Sequence, residues 1–259
     1  METTSQRPVA IVQARMGSTR LPGKVMRFLI GRPVLWHVVD RLRFCQNIGA
    51  IVVATTTERE DDVIEEWCCA HWVRCFRGSQ EDVLDRYYHA AKFYQAASIL
   101  RITADCPALD PVVIDELLSE YEAHAYDACG LAGGFPDGLD CEVMSFSALE
   151  RAWKEAEMAS EREHVTPYIH AHPDLFRVGK FERFYNLAHH RWTLDEESDF
   201  HFLERVFHRL YQKDRPFLTS DILALLEREP ALMDINQGIT RNEGYLRSLQ
   251  SDYRVGART

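Results

Sequence analysis

The stretch Ala10-Ile11-Val12-Gln13-Ala14-Arg15-Met16-Gly17-Ser18-Thr19-Arg20-Leu21-Pro22-Gly23-Lys24 decides the fold of this chain. Val9 to Val12 is an unbroken apolar run, as expected of a parallel strand buried on both faces. The chain then passes at once into a loop with two glycines, a proline, two hydroxyls and three cations. Helical spacing from Pro33 onward puts Val34, Leu35, Val38, Val39 and Leu42 on one face. Strand, glycine loop and helix together gather backbone N–H groups and positive side chains around an anion at the end of a sheet. Gly17 and Gly23 allow tight turns. Arg15 and Arg20 offer forked donors, and Lys24 offers a point charge. The loop is not a Walker A motif: five residues separate Gly17 from Gly23, and Val25 follows Lys24 where a magnesium-binding hydroxyl would stand.

Working outward, strand and helix patterns alternate as far as residue 128. Apolar strands are expected at Ala50–Ala54, Val73–Phe76 and Ser98–Thr103, and helices at Glu58–Ala70, Glu81–Ala97 and from Pro111 to Ala123. That alternation predicts an α/β fold with a doubly wound, mostly parallel sheet, whose ligands bind beyond the carboxyl ends of the strands. Thr55, Thr56, Arg77, Gly78, Ser79 and Thr103 fall at such ends. Ser79 and Asp82 also fit a capping pair that opens the next helix.

Residues 131–186 interrupt the rhythm and read as an inserted α+β segment covering the pocket. It holds a glycine turn at Gly133–Gly138, a strand at Leu139–Phe146 and a helix capped by Ser147. A short helix at Glu161–Ile169 and a strand at Phe176–Phe184 complete it. The chain then returns with a strand at His190–Leu194 and a helix at Glu197–Gln212, and a last helix spans Leu218–Glu227. The tail beyond Pro230 is polar and suggests no regular element. One domain, residues 1–259, accounts for the length of 259 residues.

The net charge of −10 argues against a general nucleic-acid binder and makes the cationic loop a focused anion site. No apolar run approaches the ~18 residues of a membrane span. The stretch Met1–Arg7 lacks the apolar core of a signal peptide. Seven cysteines without a CxxC pair suggest neither a zinc site nor a disulfide framework, so a reducing cytoplasm is the expected location.

Asp105 closes one buried strand and Asp195 a later one. Two carboxylates meeting at one sheet edge would suit magnesium, which keeps room for waters and phosphate oxygens. Taken singly, either aspartate fits a helix cap or loop residue as well, as do Asp110, Asp127 and Asp199.

The run Ala14–Lys24 resembles the signature of the sugar cytidylyltransferases, a group that includes the 3-deoxy-manno-octulosonate and acylneuraminate enzymes. Above all it resembles the spore-coat polysaccharide biosynthesis protein F family. Ala104-Asp105-Cys106-Pro107 and Trp192-Thr193-Leu194-Asp195-Glu196-Glu197-Ser198-Asp199-Phe200 are similar to the two metal-aspartate motifs of that group, with Leu194 where valine is usual. Arg77–Tyr87, Pro136–Val143 and Arg162–Ile169 resemble further motifs of the spore-coat family. The octulosonate enzymes carry a His-Ile-Gly-Ile-Tyr-like segment where this chain reads Glu163-His164-Val165-Thr166-Pro167-Tyr168, which departs from that acceptor.

The resemblance implies a nucleotide-diphospho-sugar transferase-like, Rossmann-like fold and a homodimer built through the 131–186 segment. It further implies magnesium on Asp105 and Asp195, with catalysis by Arg15, Lys24, Asp105 and Asp195. Nucleotide contacts are expected from Ala14, Arg15, Gly17, Ser18, Arg20, Lys24, Thr55, Gly78, Ser79 and Thr103. Asp137, Asp140, Glu142, Glu163, His164 and Thr166 are the acceptor candidates. His164 could deprotonate a hydroxyl near neutral pH, or simply pack within a covering helix.

The expected activity is magnesium-dependent transfer of CMP from CTP to a sugar acid or related surface-glycan precursor, with pyrophosphate released. Cytidylylation of a phosphate- or phosphonate-bearing small molecule and a catalytically lapsed nucleotide-binding protein are the alternatives. A glycosyltransferase would normally show an Asp-x-Asp motif at a strand end, and the N-terminal half has none. The expected partners are CTP and a small acceptor, with no nucleic acid and no membrane.

Overall fold

The computed structural model describes residues 7–256. Strand β1 (Val9–Gln13) pairs in parallel with β4 (Ala50–Thr56) on one side and β6 (Ser98–Thr103) on the other. A two-rung hairpin, β2 (Phe28–Leu29) and β3 (Arg32–Pro33), follows the cationic loop and leads into α1 (Val34–Leu42). Next come α2 (Asp62–Ala70), the edge strand β5 (Arg74–Gly78), α3 (Val83–Phe93) and, after β6, α4 (Pro111–His124).

The second half supplies β7 (Ala128–Leu131), β8 (Cys141–Ser145), α5 (Phe146–Glu155), α6 (Ala159–His164), α7 (Pro167–Ala171) and β9 (Val178–Phe181). The helices α8 (Glu197–Leu210), α9 (Thr219–Arg228) and α10 (Glu243–Gln250) complete it. One sheet of order β5-β4-β1-β6-β8-β7-β9 runs through both halves. Its pairing is parallel except around β8, which is antiparallel to both β6 and β7 and sets Glu142 opposite Arg101. The described residues form a mostly parallel, doubly wound sheet with helices on both faces.

Alternation along β1 explains why the sheet is covered twice. Ala10 and Val12 join a core with α1, α2 and α4, while Val9 and Ile11 join another with α3, α5 and α7. A side chain of this size gains roughly 1.5–3 kcal/mol when fully buried, so exposing either face would be costly. A third cluster packs α8 and α9 over the start of α1, with Trp192 wholly buried in it.

Several elements differ from the sequence reading. His190–Leu194 is not a strand. The amides of Trp192 and Leu194 bond to Asp137 O and Asp105 O instead, so this segment ties loops together. The strand β7, which the sequence reading did not include, ends where the 131–186 segment begins, and β8 and β9 within that segment join the main sheet. The stretch Glu161–Ile169 is two helices, broken where Val165 adopts φ 73°. Ser145 rather than Ser147 caps α5, and Asp82 rather than Ser79 caps α3 by accepting from Asp85 N. Beyond Pro230 the chain forms a 3-10 turn and then α10, so Leu218–Glu227 is not the last helix. Most of the Met1–Arg7 stretch lies outside the described residues. Among those described, all seven cysteines are free and no helix is long and apolar enough to cross a membrane.

Candidate active site

The cationic loop is held open by its own backbone and by one buried carboxylate. Ser18 N and Gly23 N both donate to Met16 O, at 2.8 and 2.9 Å. Met16 N donates to Asp61 Oδ1 at 2.6 Å, and Asp61 in turn accepts from the Thr56 hydroxyl. Gly23 has φ 68°, which turns the chain into the 3-10 helix that carries Lys24.

Asp105 follows β6 and Asp195 precedes α8, and the fold brings them to one point. Lys24 Nζ lies 2.6 Å from Asp105 Oδ2 and 2.8 Å from Asp195 Oδ1. Burial works against the Lys24 ammonium, but the two carboxylates outweigh it and raise its pKa above the ordinary value. Burial likewise pushes Asp105 up, yet the Lys24 charge and hydrogen bond, with help from Thr103, bring it down to about 2. Asp195 also meets Arg20 at 3.1 Å and Arg191 at 3.3 Å. Arg191 is fixed by the fully buried Asp199, which lies in the first turn of α8 and accepts from the Asp195 and Glu196 amides as well. No cluster of three or more metal-binding side chains occurs among the described residues. Asp105 and Asp195, sharing one cation and still partly open to the cleft, are the pair able to hold a divalent ion.

Two lobes of a cleft meet at these aspartates. The first, about 560 Å³, is lined by Ala14, Arg15, Ser18, Arg20, Lys24 and Thr103 from the nucleotide set, and by Glu163 and His164. The second, about 730 Å³, is lined by Asp137, Asp140, Glu142, His164 and Thr166 from the acceptor set, and shares Arg20, Thr103, Asp105 and Asp195 with the first.

Four expected nucleotide contacts do not line either lobe. Thr55 is wholly buried within β4, and Gly78 and Ser79 close the edge strand, with Ser79 Oγ taken by Asp82 N. Gly17 turns toward Glu60, whose carboxylate a Cβ there would meet at 2.7 Å.

In the second lobe, Glu142 is bound by Arg101 at 3.0 Å, Thr166 at 3.0 Å and His170 at 2.8 Å. Burial opposes its charge, but His170 and Arg101 with Thr166 hold its pKa down at about 2. Asp137 behaves in the opposite sense. Burial and then Asp140 push its pKa up, against the 2.8 Å pairing with Arg191. His164 has its pKa lowered by burial, and its Nε2 lies 3.0 Å from Ser248 Oγ on α10.

Sequence reasoning passed over Gln13, Arg86, Arg101, His170 and the whole of α10. Arg86 is buried on α3 beside the first lobe. Its Nη1 donates to Ser79 O, while its Nε and the Gln13 Oε1 have no hydrogen-bond partner among the described residues. A cation at the first turns of a helix resembled an ordinary packing residue, and only the sheet's edge-to-centre order brings it to the cleft. Arg101 stands within the strand Ser98–Thr103, whose end was read for Thr103 alone.

A doubly wound sheet that sets a cationic glycine loop against two converging carboxylates defines a nucleotidyltransferase. The chain belongs to the cytidylyltransferase family, whose pattern it matches over residues 9–233. It is 37% identical over 242 residues to the uncharacterized protein MJ1063 of Methanocaldococcus jannaschii, covering 92% of this chain and 97% of that one. It is 34% identical to the spore coat polysaccharide biosynthesis protein SpsF of Bacillus subtilis, covering 85% of this chain and 94% of that protein. A solved cytidylyltransferase from Leptospira borgpetersenii superposes with a TM-score of 0.83 at 30% identity, covering 90% of this chain and 99% of the other.

Proposed function

We propose that this protein transfers a CMP group from CTP to a sugar acid or related surface-glycan precursor and releases pyrophosphate. One observation carries the reading: Lys24, at the end of the cationic loop, touches two carboxylates that the chain order separates widely. The acceptor hydroxyl oxygen forms a bond to the α-phosphorus as the bond to pyrophosphate breaks, and its proton passes to a base or to water. His164, which lines both lobes, is the candidate base. Such a transfer needs positioning and charge neutralisation more than covalent help. Arg15, Arg20 and Lys24 hold the triphosphate, and Lys24 offsets the charge developing on the leaving pyrophosphate. Asp105 and Asp195 hold magnesium, which supplies Lewis-acid polarisation of the phosphate when bound. Arg101 and Lys180 place cations for an acid group among the carboxylates of the acceptor lobe, Arg101 being held there by Glu142 at 3.0 Å. The homodimer that the resemblance implies belongs to the same proposal, and sedimentation measures it.

The test is pyrophosphate release with magnesium, each of the four common nucleoside triphosphates and a panel of acceptors. Acceptor-dependent release with CTP supports the reading. Release without an added acceptor would make water the acceptor and the protein a nucleotide hydrolase, and no release with any acceptor shifts the protein to a nucleotide-binding role.

A further inference from the structure

Glu243, the first residue of α10, holds two arginines at once. Its Oε2 accepts from Arg20 Nη1 at 3.0 Å, and its Oε1 accepts from Arg247 Nη2 at 2.6 Å. Arg20 belongs to the cationic loop and lines both lobes. Arg247 lines the nucleotide lobe, and Glu243 lines the acceptor lobe. The carboxylate therefore sits where the lobes adjoin, between two guanidiniums. Each guanidinium's planar fork suits a phosphate as well as it suits a carboxylate.

The segment bearing Glu243 is fastened by polar contacts. None of the α10 residues is buried. Arg241 donates to Phe135 O at 2.8 Å, Ser248 donates to Glu163 at 2.7 Å, and Asp252 accepts from Ser160 N at 2.9 Å. Partly exposed contacts of this kind are individually weak, because water competes for the same groups. Among the described residues its one ring contact is Tyr245, which meets the His164 ring edge-on with centroids 4.9 Å apart, so little apolar packing holds the helix in place. Gly238, at φ 81°, and Asn242, at φ 56°, give the chain two left-handed turns just before it.

We propose that Arg20 and Arg247 form a two-arginine clamp for a nucleotide phosphate, and that Glu243 is the internal anion this phosphate displaces. The proposal rests on the reading of the cationic loop as a triphosphate site. Binding then exchanges one ion pair for another, so Glu243 weakens nucleotide binding by the strength of its own hold on the arginines. Arg247 lies beyond residues 9–233, the part of the chain that matches the family pattern.

Calorimetric titration of the full chain with inorganic triphosphate, and separately with CTP, tests the clamp. The proteins are the unaltered chain, Glu243→Gln, Arg247→Gln and the double variant. Gln is close in shape to Glu, and circular dichroism verifies that each variant is folded. Glu243→Gln is expected to tighten triphosphate binding at least threefold, and the double variant to lose that gain. Unchanged or weaker binding by Glu243→Gln, or a gain that survives in the double variant, overturns the clamp alone. Failure of the unaltered chain to bind either probe overturns the triphosphate reading of the loop, and the clamp with it.

Discussion

The two lobes of the cleft are made differently. The floor of the nucleotide lobe is the cationic loop with the ends of β1 and β6, Lys24 lying within eleven residues of the end of β1, and α6 and the tail close it from the other side. The acceptor lobe is assembled from β8, α6, α7, β9 and the tail, whose residues lie far apart in sequence. The first is bound to the two main cores and held by the buried Asp61. The second is walled by short helices and by ion pairs such as Glu142–Arg101.

The sharpest way to break this picture is at the point the lobes share. Asp105→Asn is expected to reduce turnover by about 100-fold or more while circular dichroism stays close to that of the unaltered chain. Near-normal rates in magnesium would remove the metal pair. Lys24→Ala isolates the nucleotide lobe and should weaken apparent CTP affinity by about tenfold, read from KM at saturating acceptor. An unchanged affinity would take Lys24 out of the triphosphate site.

The acceptor lobe is probed by Glu142→Gln, which leaves Arg101 and His170 without their carboxylate. The KM for acceptor should rise by about tenfold with little change in the KM for CTP, since a hydrogen bond to a charged group contributes about 1.5–3 kcal/mol. Equal effects on both substrates would deny that the lobes divide the work. The smallest effect concerns neither lobe. His37 is buried against Phe207 and bonded to Leu29 O, and burial, chiefly, lowers its pKa to about 4. Its unfolded form binds protons more readily, so its contribution is fully present above pH 6.5 and is lost as pH falls toward 4. Over that window stability should drop by roughly 3 kcal/mol more in the unaltered chain than in His37→Phe, measured by urea unfolding.

Much of the nucleotide half was legible because its signals are local. An apolar run, a glycine loop and a helical stripe sit in one stretch, and the order of elements follows from short connections. Ser79 was misjudged as the helix cap because Asp82, three residues on, meets the same sequence criterion and only the backbone geometry separates them. His190–Leu194 misled for a related reason. Trp192 and Leu194 are apolar because α8 and α9 cover them, not because they pair in a sheet. The tail escaped notice since a helix with no buried face leaves no hydrophobic period to detect. Arg101 was invisible because its relation to Glu142 depends on which strand lies beside β6.

That last pairing has a consequence for how the protein can vary. Arg101 and Glu142 occupy one rung between antiparallel neighbours, and side chains alternate from face to face along each strand. A slip of a single residue would turn Glu142 to the opposite surface and strand a guanidinium in the interior. The connection ahead of β8 can therefore change in length only where the loop itself absorbs the change and leaves this rung in register.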